Sequence, residues 1–373
     1  MIYLFILLAF LVSALWGWIT IPSIVIISKK KRLFDVVSER KSHSGEVPRL
    51  GGISFYPAFL TAFCALVALR FSINLDVNHN LLQDLNIEIL YFISGATMLY
   101  FIGLADDLSE LGYRTKFLVQ TLTSILLAMS GVYIKNLHGL FGIYELYPAF
   151  GMILTVLISV FIINAYNLID GIDGLCSGLA FISLSFLCFW FSYNHVYSYA
   201  MMAASMLGVL SVFFIYNTTG KRMKVFMGDT GSLMLGFLIV YLNLKFYDLN
   251  LTPAFSNTLN APAIFVGIIF IPAFDTFRVF IVRIMAGESP FVADKRHIHH
   301  KLLRLQLPHI YCTLIILLAQ VLFLALNFLL SNLSITIVLF IDILLGIILI
   351  KVFDILGNRK ERAIVNQIKH ITL

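Results

Sequence analysis

Charge is scarce in this chain. Only 12% of its 373 residues are Asp, Glu, Lys or Arg, whereas soluble domains carry about a quarter. Hydrophobic residues make up 60%, and mean hydropathy is +0.93. Long apolar runs recur from end to end, which excludes a large water-soluble core and a separate soluble domain; a single transmembrane domain over 1–373 is expected. Cysteine is also sparse. Cys64, Cys176, Cys188 and Cys312 show no CxxC spacing and three sit in apolar runs, so neither a disulfide nor a zinc site is expected. Internal repeats and inverted pairs of broken helices are missing, which counts against a transporter. The net charge of +6 implies no nucleic-acid partner, because juxtamembrane Lys and Arg account for it.

What is present is a series of membrane-length runs. The first, Ile2 to Ile27, lacks a basic n-region and a small-residue cleavage pattern, so it reads as a retained helix. A bilayer core needs roughly 20 apolar residues per helix. Spans are accordingly expected near 2–27, 51–71, 88–104, 117–134, 148–165, 175–191, 197–216, 231–247, 262–282, 310–330 and 333–352, an all-α polytopic fold of about eleven helices. The loops after the odd-numbered helices, with the C-terminal tail, hold 22 of the 26 Lys and Arg residues. The positive-inside rule then puts the N-terminus outside and the C-terminus in the cytoplasm. Loops rich in Gly, Asp, Asn and His (35–52, 103–116, 164–175, 217–233 and 285–301) fall on that cytoplasmic side alone, which implies one functional face.

Four of these loops carry groups suited to phosphate and metal chemistry. Asp106 and Asp107 follow Gly103 at the end of the third span, with Arg114 and Lys116 close behind. Adjacent carboxylates at a low-dielectric rim need a cation between them or a shared proton; the plainer alternative is a solvated loop start. Asn164, Asn167, Asp170 and Asp173 recur every third residue after an apolar run, and a continuing helix would align them in one polar stripe. Their oxygens suit magnesium, and Gly171 and Gly174 allow backbone to approach a ligand; the alternative is helix termination by Asx turns. Asp229, in Gly228-Asp229-Thr230-Gly231-Ser232, is either an N-cap of the eighth span or a metal or phosphate-side group. His297, His299 and His300 follow Asp294-Lys295-Arg296, a set fit for phosphate and sugar recognition or proton transfer, or for an interfacial loop touching headgroups.

The first loop, with Arg40, Lys41, His43 and Arg49, is suited to an anionic lipid head, while Lys29 to Arg32 read as a positive-inside anchor. Asp275 and Arg278 form an intramembrane ion-pair candidate, structural or catalytic. His79, His138 and His195 fall on the outer side and get a structural reading.

In order, the segments SHSGEVPRLGG, GLADD with Lys116-Phe117, NAYNLIDGIDGL, KVFMGDTGSL and RHIHH resemble the polyprenyl-phosphate N-acetylhexosamine-1-phosphate transferase family over about residues 30–305. The pattern is closer to its UDP-N-acetylglucosamine branch than to the muramoyl-pentapeptide branch, which has three adjacent histidines and a different stretch in place of PRLGG. The resemblance implies a multi-pass inner-membrane enzyme that transfers N-acetylglucosamine-1-phosphate, or a related sugar phosphate, from the UDP-sugar to undecaprenyl phosphate, releasing UMP. Magnesium, with manganese as a substitute, is the implied cofactor, and a homodimer is compatible. By the same resemblance Asp229 is a magnesium ligand with Asn167 beside it, and Asp106 and Asp107 act on the lipid phosphate, one as its base. Asp173 and Gly171 hold uracil with Phe226 against the ring, Lys116 meets phosphate, and His297, His299, His300 and Arg296 face the sugar diphosphate. Asp170 completes the catalytic set; His43 and Arg49 complete the substrate contacts. Two rivals are weaker. A CDP-alcohol phosphatidyltransferase would need an Ala-Arg pair after the glycine of the Asp-Gly-x-Asp-Gly pattern, and an ion-coupled transporter would need polar groups spread through the bilayer.

Overall fold

The computed structural model describes residues 2–33, 47–73, 79–220, 222–252, 260–289 and 296–371, so His43 lies outside the described residues. Its helices are α1 (Ile2–Lys31), α2 (Phe55–Ser72), α3 (His79–Ser109), α4 (Tyr113–Met129), α5 (Pro148–Ile169), α6 (Leu175–Tyr193), α7 (Tyr197–Thr219), α8 (Gly228–Leu249), α9 (Ala261–Met285), α10 (Ile298–Leu303), α11 (His309–Leu329) and α12 (Ile335–Ile371). Ten helical segments among the described residues are long and apolar enough to cross a membrane.

The expected span at 117–134 is the departure. Its helix, α4, stops at Met129 after 17 residues, and the chain turns through Gly131 at φ 95°. At 1.5 Å per residue α4 is about 25 Å long, at the lower limit for a membrane-crossing helix. A small antiparallel hairpin, β1 (Asn136–Leu140) and β2 (Ile143–Glu145), follows it. Residue periodicity does not reveal this hairpin, although Phe141 and Gly142, both at positive φ, form its turn.

α8 is the axis of the bundle. Every residue from Gly228 to Tyr247 is buried, and the helix packs on α3, α5, α6 and α9. A helix apolar on all faces belongs there. Lys245, at its far end, is held by Glu88 of α3 at 2.9 Å, and Lys135 reaches Asp248 at 2.6 Å. α9 carries Pro272 in its interior, which removes the N–H that would bond the Ile268 carbonyl. Ser183 Oγ and Gln320 Nε2 donate to that oxygen instead, at 2.7 and 3.1 Å, as a water-free interior requires.

Candidate functional site

The polar segments converge at one end of the bundle, where α3 and α5 finish and α8 begins. The double aspartate is not in a loop: α3 runs on to Ser109, so Asp106 and Asp107 sit on its last turns. Gly103, one turn earlier, permits α3 to touch α8, since a Cβ there would lie 2.6 Å from the Thr230 Cα. The close approach brings Asp107 onto the start of α8. Its Oδ1 accepts the Asp229 amide at 2.8 Å, and its Oδ2 accepts the Thr230 amide at 3.0 Å and the Thr230 hydroxyl at 2.6 Å. Asp229 therefore does not cap α8 with its own side chain; Asp107 satisfies the amides that the helix start leaves open.

That arrangement leaves the Asp229 carboxylate facing two cations. Arg49 Nη2 donates to Oδ1 at 3.2 Å and Lys116 Nζ to Oδ2 at 2.8 Å; the same Nζ reaches Asp106 Oδ2 at 3.1 Å. Arg49 also lies 3.8 Å from Asp107. The Arg49 segment is held by backbone pairing with the segment before α8: the Phe226 amide donates to the Pro48 carbonyl, and the Gly51 and Gly52 amides to the Phe226 and Met227 carbonyls. Asp106 Oδ1 is buried and makes no standard hydrogen bond among the described residues.

α5 ends at Ile169, so the expected polar stripe continues only in part: Asn164 and Asn167 are helical, Asp170 caps the end, and Asp173 lies in the following turn. Asn164 exchanges carboxamide hydrogen bonds with Gln120 and braces α5 on α4. Asn167 Nδ2 donates to Ser232 Oγ at 2.9 Å, one helical turn beyond Asp229, which leaves its Oδ1 for a ligand. Asp170 still shows part of its surface, but dense surroundings raise its carboxyl from 3.8 to about 7; desolvation leads, Asp229, Asp107 and Asp173 add repulsion, and Arg49 opposes them.

Asp173 belongs to a second cluster. Lys224 Nζ donates to Oδ2 at 2.7 Å, His309 Nδ1 lies 3.2 Å from the same oxygen, and the Thr313 hydroxyl donates to the Asp173 carbonyl. Burial alone would raise this carboxyl, but the His309 and Lys224 hydrogen bonds hold it below its ordinary value. Lys224 also stands 5.8 Å over the Phe226 ring. Asn217 joins the two strands of this pocket, accepting from the Gly174 amide and donating to the Val225 carbonyl.

The histidine segment closes the site. Asp275, fully buried in α9, accepts from Arg278 at 2.7 Å and from the Ile298 amide at 3.0 Å, and meets His297 Nδ1 at 2.9 Å. It is thus the anchor of α10 rather than a group facing the cleft. His299 is buried, and burial depresses its imidazole to about 3, with His300 and His297 adding to the effect. A Cβ on Gly171 would overlap the His299 ring, so this glycine is what lets the aspartate turn and the histidine segment meet. Arg296 turns to Glu288 at 2.8 Å.

Lys224, Thr230, Ser232, His309 and Thr313 take part without having been singled out in the sequence. The first three lie inside a recognised segment, where a closer look at Lys224 beside Phe226 would have found it. His309 and Thr313 lie on α11, and no local pattern links them to Asp173. Among the described residues no three His, Cys, Asp or Glu side chains are gathered as a metal cage.

The family model described as glycosyl transferase family 4 matches residues 89–247, which include Asp106, Asp107, Asn167, Asp170, Asp173 and Asp229. The undecaprenyl-phosphate alpha-N-acetylglucosaminyl 1-phosphate transferase of Yersinia pestis is 31% identical over 282 residues, covering 74% of this chain and 71% of that protein. The Escherichia coli K12 protein of the same name is 30% identical over the same shares. A Bacillus subtilis protein named as a probable undecaprenyl-phosphate N-acetylglucosaminyl 1-phosphate transferase is 31% identical over 373 residues, 96% of this chain and 94% of that protein.

Proposed function

The chain belongs to the glycosyl transferase family 4 of undecaprenyl-phosphate N-acetylglucosaminyl 1-phosphate transferases, and we propose that the cluster at the start of α8 is where it performs that reaction. The protein transfers N-acetylglucosamine-1-phosphate from UDP-N-acetylglucosamine to undecaprenyl phosphate. A lipid phosphate oxygen forms a bond to the phosphorus that carries the sugar, the bond from that phosphorus to UMP breaks, and UMP departs with the electron pair. The muramoyl-pentapeptide alternative is not favoured by the relatives. A transporter is not favoured either, because the polar groups crowd one rim.

The observation that carries the assignment is the alternation Arg49, Asp229, Lys116, Asp106 at a helix N-terminus. Two cations and four carboxylates, counting Asp107 and Asp170, leave this rim negative. A diphosphate enters such a site only with added positive charge. The residues fit a magnesium ion: Asp229 and Asp106 face each other across Lys116 Nζ, Asp106 Oδ1 makes no hydrogen bond among the described residues, and Asn167 offers an oxygen. Magnesium takes one or two carboxylates and fills its shell with water and phosphate oxygens, so no closed cage is needed. Bound there, it would neutralise the diphosphate and stabilise departing UMP.

The remaining work falls to the protein. Lys116 and Arg49 hold the non-bridging oxygens of the phosphorus under attack. Asp170, close enough to Asp229, Asp107 and Arg49 to feel their charge, takes the proton of a monoprotonated lipid phosphate. Phe226 and the Asp173–Lys224 pair receive the uracil end, and the histidine segment closes over the sugar diphosphate. The charge asymmetry of the loops supports eleven crossings, α4 included, with the site in the cytoplasm.

The test is incubation of purified protein with undecaprenyl phosphate, magnesium and radiolabelled UDP-N-acetylglucosamine. Label entering the organic phase with stoichiometric UMP is the expected result. Absence of turnover with any UDP-sugar in a folded sample would overturn the assignment.

A further inference from the structure

We propose that the part of α12 beyond the membrane is a latch that positions the histidine segment, acting through Lys301–Asp354 and Arg304–Glu361. The proposal rests on the transferase assignment above, since it gives the latch its purpose.

α12 runs for 37 residues, about 55 Å at 1.5 Å per residue, against a hydrocarbon core of about 30 Å. The helix therefore outruns the hydrocarbon core, and its stretch from Asp354 to Glu361 meets α10. Lys301 Nζ contacts both oxygens of Asp354, at 2.6 and 2.7 Å. Arg304 pairs with Glu361 through two parallel bonds of 2.8 Å, donates to Asn358, and lies 3.7 Å from Asp354. Its stem crosses α12 at Gly357.

α10 needs such support. It has six residues, far below the length at which an isolated helix persists in water. Asp275 holds its first amide and His297, and Ile298 and Leu302 are buried beneath it. α11 packs on α10 as well, but among the described residues the side-chain hydrogen bonds of Lys301 and Arg304 go to α12. That rotation sets where His299 meets Gly171 and where His300, whose ring stands 4.3 Å from His299, presents itself. Bidentate and shared pairs specify geometry as well as contact. Lys301, Arg304, Asp354 and Glu361 are thus positioning residues, remote from the reacting atoms.

In the full-length protein in nanodiscs, D354K should speed amide exchange across residues 298–303 and lower kcat/KM for UDP-N-acetylglucosamine about tenfold, mostly through KM. The charge-swapped K301D/D354K protein should recover both. Wild-type exchange and kinetics in D354K would overturn the latch, as would a folded double variant that recovers neither. If the wild-type protein releases no UMP from any UDP-sugar, the transferase assignment fails, while the exchange measurements still decide whether α12 holds α10.

Discussion

Asp107 of α3 caps the helix that carries Asp229: one carboxylate oxygen accepts the Asp229 amide and the other the Thr230 amide and hydroxyl. With no side-chain exposure, it has no free oxygen to offer a substrate. Of the adjacent pair, Asp107 braces the start of α8 and Asp106 pairs with Lys116. Two neighbouring carboxylates thus have different work because α8 claims one of them.

Replacing Asp107 with alanine should destabilise the protein by about 2 kcal/mol or more, since two buried amides lose their acceptor. Denaturation in detergent reads this directly. D107N keeps an acceptor oxygen and should fold with reduced kcat. Its pH–rate profile should keep both wild-type limbs, and loss of a limb would make Asp107 a proton carrier after all.

Asp229→Asn should lower UMP release by roughly a thousandfold with the fold intact, as expected for a group that organises charge at the reacting phosphates. Chelation should abolish turnover in the wild type, magnesium should restore it, and manganese should substitute. Turnover that persists in chelator would remove the cation from the assignment.

Asp170 predicts a pH signature. Its folded value, about 7, lies above the ordinary 3.8, so its contribution to stability is complete below 3.8 and is lost as pH rises through 7. Without metal, the wild-type Tm should fall relative to D170N across that window, and the gap should level off above it. A pH-independent gap would show that Asp170 is not held neutral.

Gly171→Ala places a methyl group on the His299 ring. Overpacking costs about 1–3 kcal/mol when the neighbour cannot yield, and here the yielding element is α10. The expected result is a loss of kcat/KM of about tenfold or more with UDP-N-acetylglucosamine. Wild-type kinetics would mean that α10 moves freely.

Much of this protein is legible in its sequence because the bilayer permits few solutions: a lipid-facing backbone must bond within its own helix, so apolar runs of sufficient length report helices directly. Ten of the expected spans coincide with membrane-length helices. The segments around Asp106, Asn167, Asp229 and His297 stand out because polar groups beside such runs are costly and are kept for a purpose. Helix ends were less legible: α3 carries Asp106 and Asp107 within its last turns, α4 stops at Met129, and α12 continues to Ile371.

The sequence by itself determined the class of fold, the polar segments and the chemistry their side chains allow, because hydropathy and residue type are local properties. Only the tertiary structure decided which aspartate caps α8 and which pairs with Lys116, that His309 of α11 meets Asp173, that Asp275 anchors the histidines, and that α12 reaches α10. Each of these is a contact between residues far apart in the chain, set by the packing of helices around α8, and no local pattern encodes which helix face meets which.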